Sequence, residues 1–167
     1  MAILYKLLFM KLYSVALLII GNKYTLAPKE TSAGQSIRQM IADYPFEIVA
    51  CDTIPDTAEI IRNTMLLYAD THQVNLILTA GGTGFTATDI TPEITRDVIE
   101  KETPGICEAM RTECFKITKK AMLSRGVAGI RGKTLIINLP GSSKGVVESL
   151  GVILDTLPHA IRTINRI

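Results

Sequence analysis

Val74-Asn-Leu-Ile-Leu-Thr-Ala-Gly-Gly-Thr-Gly84 runs without a charge from an apolar segment into a glycine-rich one. The apolar half, Val74 to Leu78, has the length and continuity of a strand covered on both faces. Ala80-Gly-Gly-Thr-Gly84 ends it. Further on, Thr91-Pro-Glu93 reads as an N-cap, a proline at the first helical position and an acidic first turn. The helix it opens is expected to run to about Lys101 and to stop before Pro104. A buried strand, a glycine loop and a helix in that order are the unit from which parallel α/β sheets are made.

The same alternation extends both ways. Upstream, Val15 to Ile20 is a second continuous apolar run, and Tyr13 to Ile20 is expected to be a buried strand. A polar loop, Gly21 to Ser32, leads to a helix over Gly34 to Tyr44, with Ile37, Met40 and Ile41 at helical spacing. Phe46 to Cys51 is a short strand. Pro55-Asp56 opens a helix whose apolar positions Ala58, Ile61, Met65 and Tyr68 step by three and four. Downstream, a short helix spans Gly105 to Cys114, and Met122 to Arg131, with glycines at 126 and 129, reads as a hairpin. Thr134 to Asn138 is the last strand, Leu139 to Ser143 a turn, and Lys144 to Leu154 a closing helix before Pro158 and a terminal helical stub. This order implies right-handed crossovers and a mostly parallel sheet with helices on both faces.

The bulk composition narrows the function. The 167 residues fit one domain, 1–167, with 1–10 read as an extension ahead of an alternative start at Met10. A formal net charge of +2 gives no case for nucleic acid, and the Lys116–Lys120 cluster is broken by Ile117 and Thr118. Trp is absent and aromatic residues make up 5%, so a base-stacking platform is not expected. Cys51, Cys107 and Cys114 are odd in number and lack CxxC spacing, which suits free thiols in a reducing cytoplasm. His72 and His159 are too few for a histidine-rich metal site. Lys6 and Lys11 interrupt the apolar amino terminus, so neither a membrane span nor a signal peptide is expected there.

In an open parallel sheet, ligands bind beyond the carboxyl ends of the strands. The segments there are Gly21-Asn22, Asp52 to Asp56, Ala80 to Asp89 and Pro140 to Lys144. Thr79 to Gly84 suits a phosphate, because Gly81, Gly82 and Gly84 let the backbone approach closely and Thr83 adds a hydroxyl. A tight turn with no ligand accounts for the glycines as well. No Gly-Lys-Ser/Thr follows, so this is not a Walker A loop. Asp56 and Asp89 read alone as helix-start carboxylates. Together on one edge beside a phosphate loop they suggest Mg²⁺, which takes oxygen ligands. Pro140-Gly141-Ser142-Ser143-Lys144 offers a second anion-binding turn or a plain serine N-cap.

At these residues the chain resembles the MogA/MoaB family, shared with the G domains of gephyrin-like proteins. The stretches are Ile54-Pro-Asp56, Leu78 to Gly84, Asp89 to Glu93, Ile99 to Glu102 with Pro104-Gly105, Glu108 to Arg111, Ala121 to Arg125 and Gly132 to Ser142. The resemblance implies a three-layer, Rossmann-like α/β fold, usually a homotrimer, that transfers AMP from ATP to the phosphate of molybdopterin with Mg²⁺. It also implies a downstream molybdenum-insertion enzyme as a partner. The family's metal and catalytic acids match Asp56 and Asp89, its phosphate loop Gly81 to Gly84, and its second ligand loop Pro140 to Ser143. Ser124, Arg125 and Lys144 are further candidates. Ser124 reads equally as a hairpin residue and Arg125 as surface. The chain departs from the pattern at Gly21-Asn22, where Ser-Asp is usual, at Thr88, where a basic residue is common, and at Thr31, where an acid is usual. A catalytically weakened pterin- or nucleotide-binding relative, a CinA-type nucleotide hydrolase and a purely structural trimer are the alternatives.

Overall fold

In the computed structural model, which describes residues 12–21 and 31–166, the alternation becomes one sheet between two layers of helices. The strands are β1 (Tyr13–Ile20), β2 (Phe46–Ile54), β3 (Leu76–Ala80), β4 (Lys101–Glu102), β5 (Ala128–Arg131) and β6 (Thr134–Leu139). Their order is β2-β1-β3-β6-β5-β4. The first four in that order run parallel, and β5 and β4 add antiparallel pairings at one edge. The helices are α1 (Ser32–Ile41), α2 (Ala58–Leu66), α3 (Thr91–Val98), α4 (Pro104–Phe115), α5 (Ser143–Ile153) and α6 (Leu157–Ile164).

The continuous apolar runs of β1, β3 and β6 have a simple cause: both faces of each strand are covered. Val15, Leu17, Leu76, Leu78, Leu135 and Ile137 point into one core, closed by α1, α4, α5 and α6. Ala16, Leu18, Ile77 and Ile136 point into the other, closed by Ile61 and Met65 of α2 and Ile94 and Val98 of α3. β2 lies at an edge and shows the alternating burial of a half-covered strand.

Several boundaries differ from the sequence expectations. β2 continues to Ile54, and α2 begins at Ala58 after an extended Thr57, so Pro55 and Asp56 stay in the loop. Val74 donates to Tyr68 O instead of joining the ladder, which moves the third strand to Leu76–Ala80. Ile90, not Thr91, occupies the N-cap of α3, and Thr91 is its first helical residue. That helix ends at Val98 because Lys101 and Glu102 pair with β5. The hairpin expected over Met122 to Arg131 is displaced. Lys119–Leu123 forms a 3-10 turn, and the hairpin joins β5 to β6 around Gly132, which has φ +53°. Gly129 lies within β5 because a Cβ there would come 2.4 Å from Ile99 Cδ1. Asn22, most of the Gly21–Ser32 loop and the amino-terminal extension read over 1–10 lie outside the described residues.

Candidate functional site

β1 lies between β2 and β3, so the chain leaves it first in one direction and later in the other. α1 accordingly packs on one face and α2 on the opposite one. The strand order reverses between β1 and β3, which is where open α/β sheets leave a crevice. The glycine loop fills that position. Gly81 has φ +112°, and a Cβ on it would come 2.3 Å from Ile20 O at the end of β1. Gly82 has φ +65°, and its Cβ would come 2.2 Å from Thr91 Oγ1. Neither position admits a side chain without movement of the backbone or of a buried threonine. Thr91 closes the loop by donating its N–H to Gly82 O at 3.1 Å.

Asp89 lies against this loop. Its Oδ2 accepts from Thr86 N at 2.8 Å and from Thr86 Oγ1 at 2.6 Å. Thr88, one of the departures from the family pattern, stands with its hydroxyl 3.2 Å from that of Thr86. Burial raises the Asp89 pKa, but the Thr86 hydroxyl, the N–H groups of Thr86 and Gly84 and the Arg125 charge outweigh it. The carboxyl is held below its ordinary 3.8 and stays ionised.

Arg125 ties the loop together. Its N–H donates to Thr83 O at 3.1 Å and its Nε to Gly84 O at 2.7 Å. The remaining fork reaches Asp89 O and the Glu93 carboxylate. The alternative reading of Arg125 as mere surface is therefore corrected. Its fixed fork spans loop, acid and helix, a geometry that lysine cannot copy.

The loop after β6 packs onto the first. Gly81 N donates to Leu139 O at 3.2 Å, and a Cβ on Gly141 would come 3.2 Å from Gly81 Cα. Ser142 is the N-cap of α5 and accepts from Gly145 N at 3.1 Å. Ser143 shares a 2.5 Å hydrogen bond with Ser36 of α1. Lys144 has an 80% exposed side chain and stands 3.8 Å from Glu148, a weak surface pair.

Between α4, the 3-10 turn and the start of α5 opens a cleft of about 490 Å³. Thr83, Gly84, Ser124, Pro140, Ser142 and Lys144 of the expected ligand residues line it. Cys107, Met110, Cys114 and Leu123 give it an apolar wall, and Arg111 and Lys120 add positive charge. The arrangement suits a flat, partly apolar molecule with an anionic end. Burial pushes the Cys107 thiol up to about 11, so it stays protonated.

Not every expected residue faces the cleft. Thr79 is fully buried and accepts from Asn138 Nδ2 at 3.0 Å, so it supports the sheet end instead of meeting a ligand. Gly81, Gly82, Gly141 and Ser143 do not line the cleft, and neither Asp56 nor Asp89 does. Asp56 is half-buried in the loop after β2, on the same sheet edge, where Gly21 N donates to Ile54 O at 3.0 Å. Among the described residues no group of three or more His, Cys, Asp or Glu side chains could hold a metal ion. The oxygen donors at this edge suit Mg²⁺ held between one or two carboxylates and a substrate's phosphates, not a cage made by protein alone.

Asn138 was missed by sequence reasoning. It is the one polar residue in Leu135–Leu139, a signal that was available. Its amide donates to Thr79 and to Thr95 Oγ1 at 2.9 Å, and its carbonyl accepts from Val127 N at 3.1 Å. It thereby fixes β3, α3 and the lead into β5 around the cleft floor. Arg111, which donates to Ser124 O and to Gly126 O at 3.2 Å, ends the Glu108–Arg111 stretch of the family resemblance, where no role was assigned to it.

The pattern of a domain family described as "Probable molybdopterin binding domain" matches residues 16–159. The chain is 34% identical over 155 residues to a molybdopterin adenylyltransferase of Helicobacter pylori, covering 91% of this chain and 88% of that protein. It is 38% identical over 156 residues to the molybdenum cofactor synthesis protein cinnamon of Drosophila melanogaster, covering 93% of this chain. The match spans only 26% of the cinnamon protein's length. Among solved structures, the molybdopterin biosynthesis enzyme MoaB of Thermus thermophilus superposes with a TM-score of 0.87 at 42% identity, over 92% of this chain and 96% of that one. Among the described residues no helix is long and apolar enough to cross a membrane.

Proposed function

The chain belongs to the probable molybdopterin binding domain family, and from that premise we propose that it is a molybdopterin adenylyltransferase of molybdenum cofactor biosynthesis. The observation that carries this reading is the ionised Asp89 on the rim of the glycine loop, near a cleft lined by apolar residues and by Arg111, Lys120 and Lys144 against Glu148. ATP and molybdopterin are the substrates. An oxygen of the molybdopterin phosphate attacks the α-phosphorus of ATP, the bond to the β-phosphate bridging oxygen breaks, and pyrophosphate leaves.

The chain's residues act by position and charge, without a covalent nucleophile. Glycine-loop amides and the Thr83 hydroxyl hold phosphate oxygens. Arg111 and Lys120 offset negative charge at the cleft, and its sulfur-rich wall receives the pterin. Asp89 and Asp56 are the residues that would hold Mg²⁺, which when bound neutralises charge on the polyphosphate. Arg125 is a positioning residue that keeps the loop and Asp89 in register. Free thiols suit a reducing cytoplasm. A homotrimer and a downstream molybdenum-insertion enzyme belong to the same reading and rest on the family resemblance. Light scattering at micromolar concentration should give a trimer's mass, and a monomer's mass would remove that part.

The test is incubation of the chain with molybdopterin, ATP and Mg²⁺, followed by mass spectrometry of the pterin. Adenylylated molybdopterin and pyrophosphate are expected in equal amounts. Unchanged molybdopterin would sink the reading.

A further inference from the structure

A second, smaller cleft of about 300 Å³ adjoins the first, and the roles proposed above leave its Arg96 unused. Three guanidinium groups line it, from Arg96, Arg111 and Arg125, against a single carboxylate, Glu102. It shares Arg111, Ser124, Gly126 and Cys107 with the larger cleft, so the two are continuous.

Each arginine contributes differently. Arg125 is anchored by Glu93 and by backbone carbonyls, so its position is fixed before any ligand arrives. Arg111 is half-buried and donates to the carbonyls of Ser124 and Gly126, not to a carboxylate. A half-buried cation paired only with carbonyls leaves its charge unmatched, an arrangement that an incoming anion corrects. Arg96, in the last turn of α3, has no hydrogen-bond or ion-pair partner among the described residues. Standing alone it would be an ordinary solvated arginine; it shares a cavity with the other two. Pro104 and Cys107 bring the first turn of α4 to the same cleft, and Thr103 at its N-cap makes no side-chain bond to the helix amides. The positive end of that helix adds to the field of the arginines. Three guanidiniums against Glu102 and the Glu93 that pairs with Arg125 leave a surplus of one positive charge.

We propose that this cleft is a subsite for a phosphate-class dianion, held by Arg96 and Arg111 beside the fixed Arg125. Planar forks of this kind match phosphate oxygens two at a time. Its identification with the diphosphate group that the adenylyl transfer releases rests on the function proposed above. The anion site itself rests only on the geometry. Two sources share that chemistry, the outer phosphates of ATP and free inorganic pyrophosphate.

The experiment is a calorimetric titration of the full chain with inorganic pyrophosphate, comparing wild type with Arg96→Ala, Arg96→Lys and Lys133→Ala. Wild type should bind, Arg96→Ala should weaken binding about tenfold or more, and Arg96→Lys should restore part of the loss. Lys133→Ala removes a positive charge from an exposed residue outside both clefts and should leave pyrophosphate binding unchanged. Wild-type affinity in Arg96→Ala, or no binding by wild type at millimolar pyrophosphate, would overturn the proposal. An equal loss in Lys133→Ala would overturn it too, by making the binding a response to net charge alone. Displacement of bound pyrophosphate by ATP but not by AMP assigns the site to the nucleotide's outer phosphates. Binding that ATP leaves untouched assigns it to the free product. A chain that binds pyrophosphate through Arg96 yet transfers no AMP keeps this subsite and loses the adenylyltransferase reading.

Discussion

Replacing Gly82 by alanine puts a methyl group where the loop leaves no room for one. The position has φ +65°, which costs a non-glycine residue about 1–2 kcal/mol. The new Cβ would come 2.2 Å from Thr91 Oγ1, on a fully buried residue that anchors α3. Relieving that overlap means moving the loop or the helix, and overpacking of this kind costs about 1–3 kcal/mol. Gly82→Ala should therefore lower stability by about 2–5 kcal/mol. Thr91→Ala alone should cost about 1 kcal/mol or less. It gives up a buried methyl group, but it also removes a hydroxyl that has no hydrogen-bond partner. In Gly82→Ala/Thr91→Ala the clash with the hydroxyl is gone, a 3.3 Å contact with the Cβ of residue 91 is left, and the φ penalty remains. The double variant should be more stable than the two single losses predict together, by about 1–2 kcal/mol. Urea unfolding followed by far-ultraviolet circular dichroism measures all four proteins, with equal m-values as the check on a common unfolded state. Additivity within about 0.5 kcal/mol would mean that the loop does not rest on Thr91 and that the packing argument is wrong.

Other consequences follow from the site. Asp56→Asn and Asp89→Asn should each abolish turnover while shifting stability by roughly 1 kcal/mol or less, read by product formation and urea midpoint. Asp89 has a folded pKa below 3.8, so the stability it contributes is fully present above that value and is lost as pH falls through the lowered one. The stability gap between wild type and Asp89→Asn should hold steady above pH 3.8 and close below it; a gap that widens in acid would reverse the assigned direction. Asn138→Leu strands Val127 N–H and removes the donor to Thr79 and Thr95, so thermal unfolding should report a loss of about 2–4 kcal/mol. Arg125→Lys keeps the charge but not the fork, and should reduce turnover while lowering the unfolding free energy from urea titration by about 1–3 kcal/mol.

How much of this was legible in the sequence depends on how local each cause is. The apolar runs of β1, β3 and β6 were readable because strands covered on both faces need no polar positions, and these strands set the sheet. β4 was not readable. Lys101 and Glu102 carry no strand signal and pair only because β5 passes beside them. The hairpin was misplaced because Gly126 and Gly129 look like turn residues. Gly129 is instead required by the close approach of Ile99, a contact between distant segments, and the turn falls at Gly132. In the site, the glycine loop and Asp89 were adjacent in sequence and could be read together. Thr79 was assigned the wrong direction, since strand alternation decides which face a hydroxyl meets and its partner Asn138 lies in another strand. The parts played by Arg111 and Arg125 are long-range, through carbonyls that carry no sequence identity.

The central claim is that this edge of the sheet moves AMP onto a pterin phosphate. The most direct measurement is transfer of label from ATP carrying ³²P at its α-phosphate, in the presence of molybdopterin and Mg²⁺. Wild type should place the label in the pterin fraction with one pyrophosphate released per label transferred, and Asp89→Asn should place none there. Label appearing only as free AMP, or an Asp89→Asn protein that labels the pterin at the wild-type rate, would contradict the account.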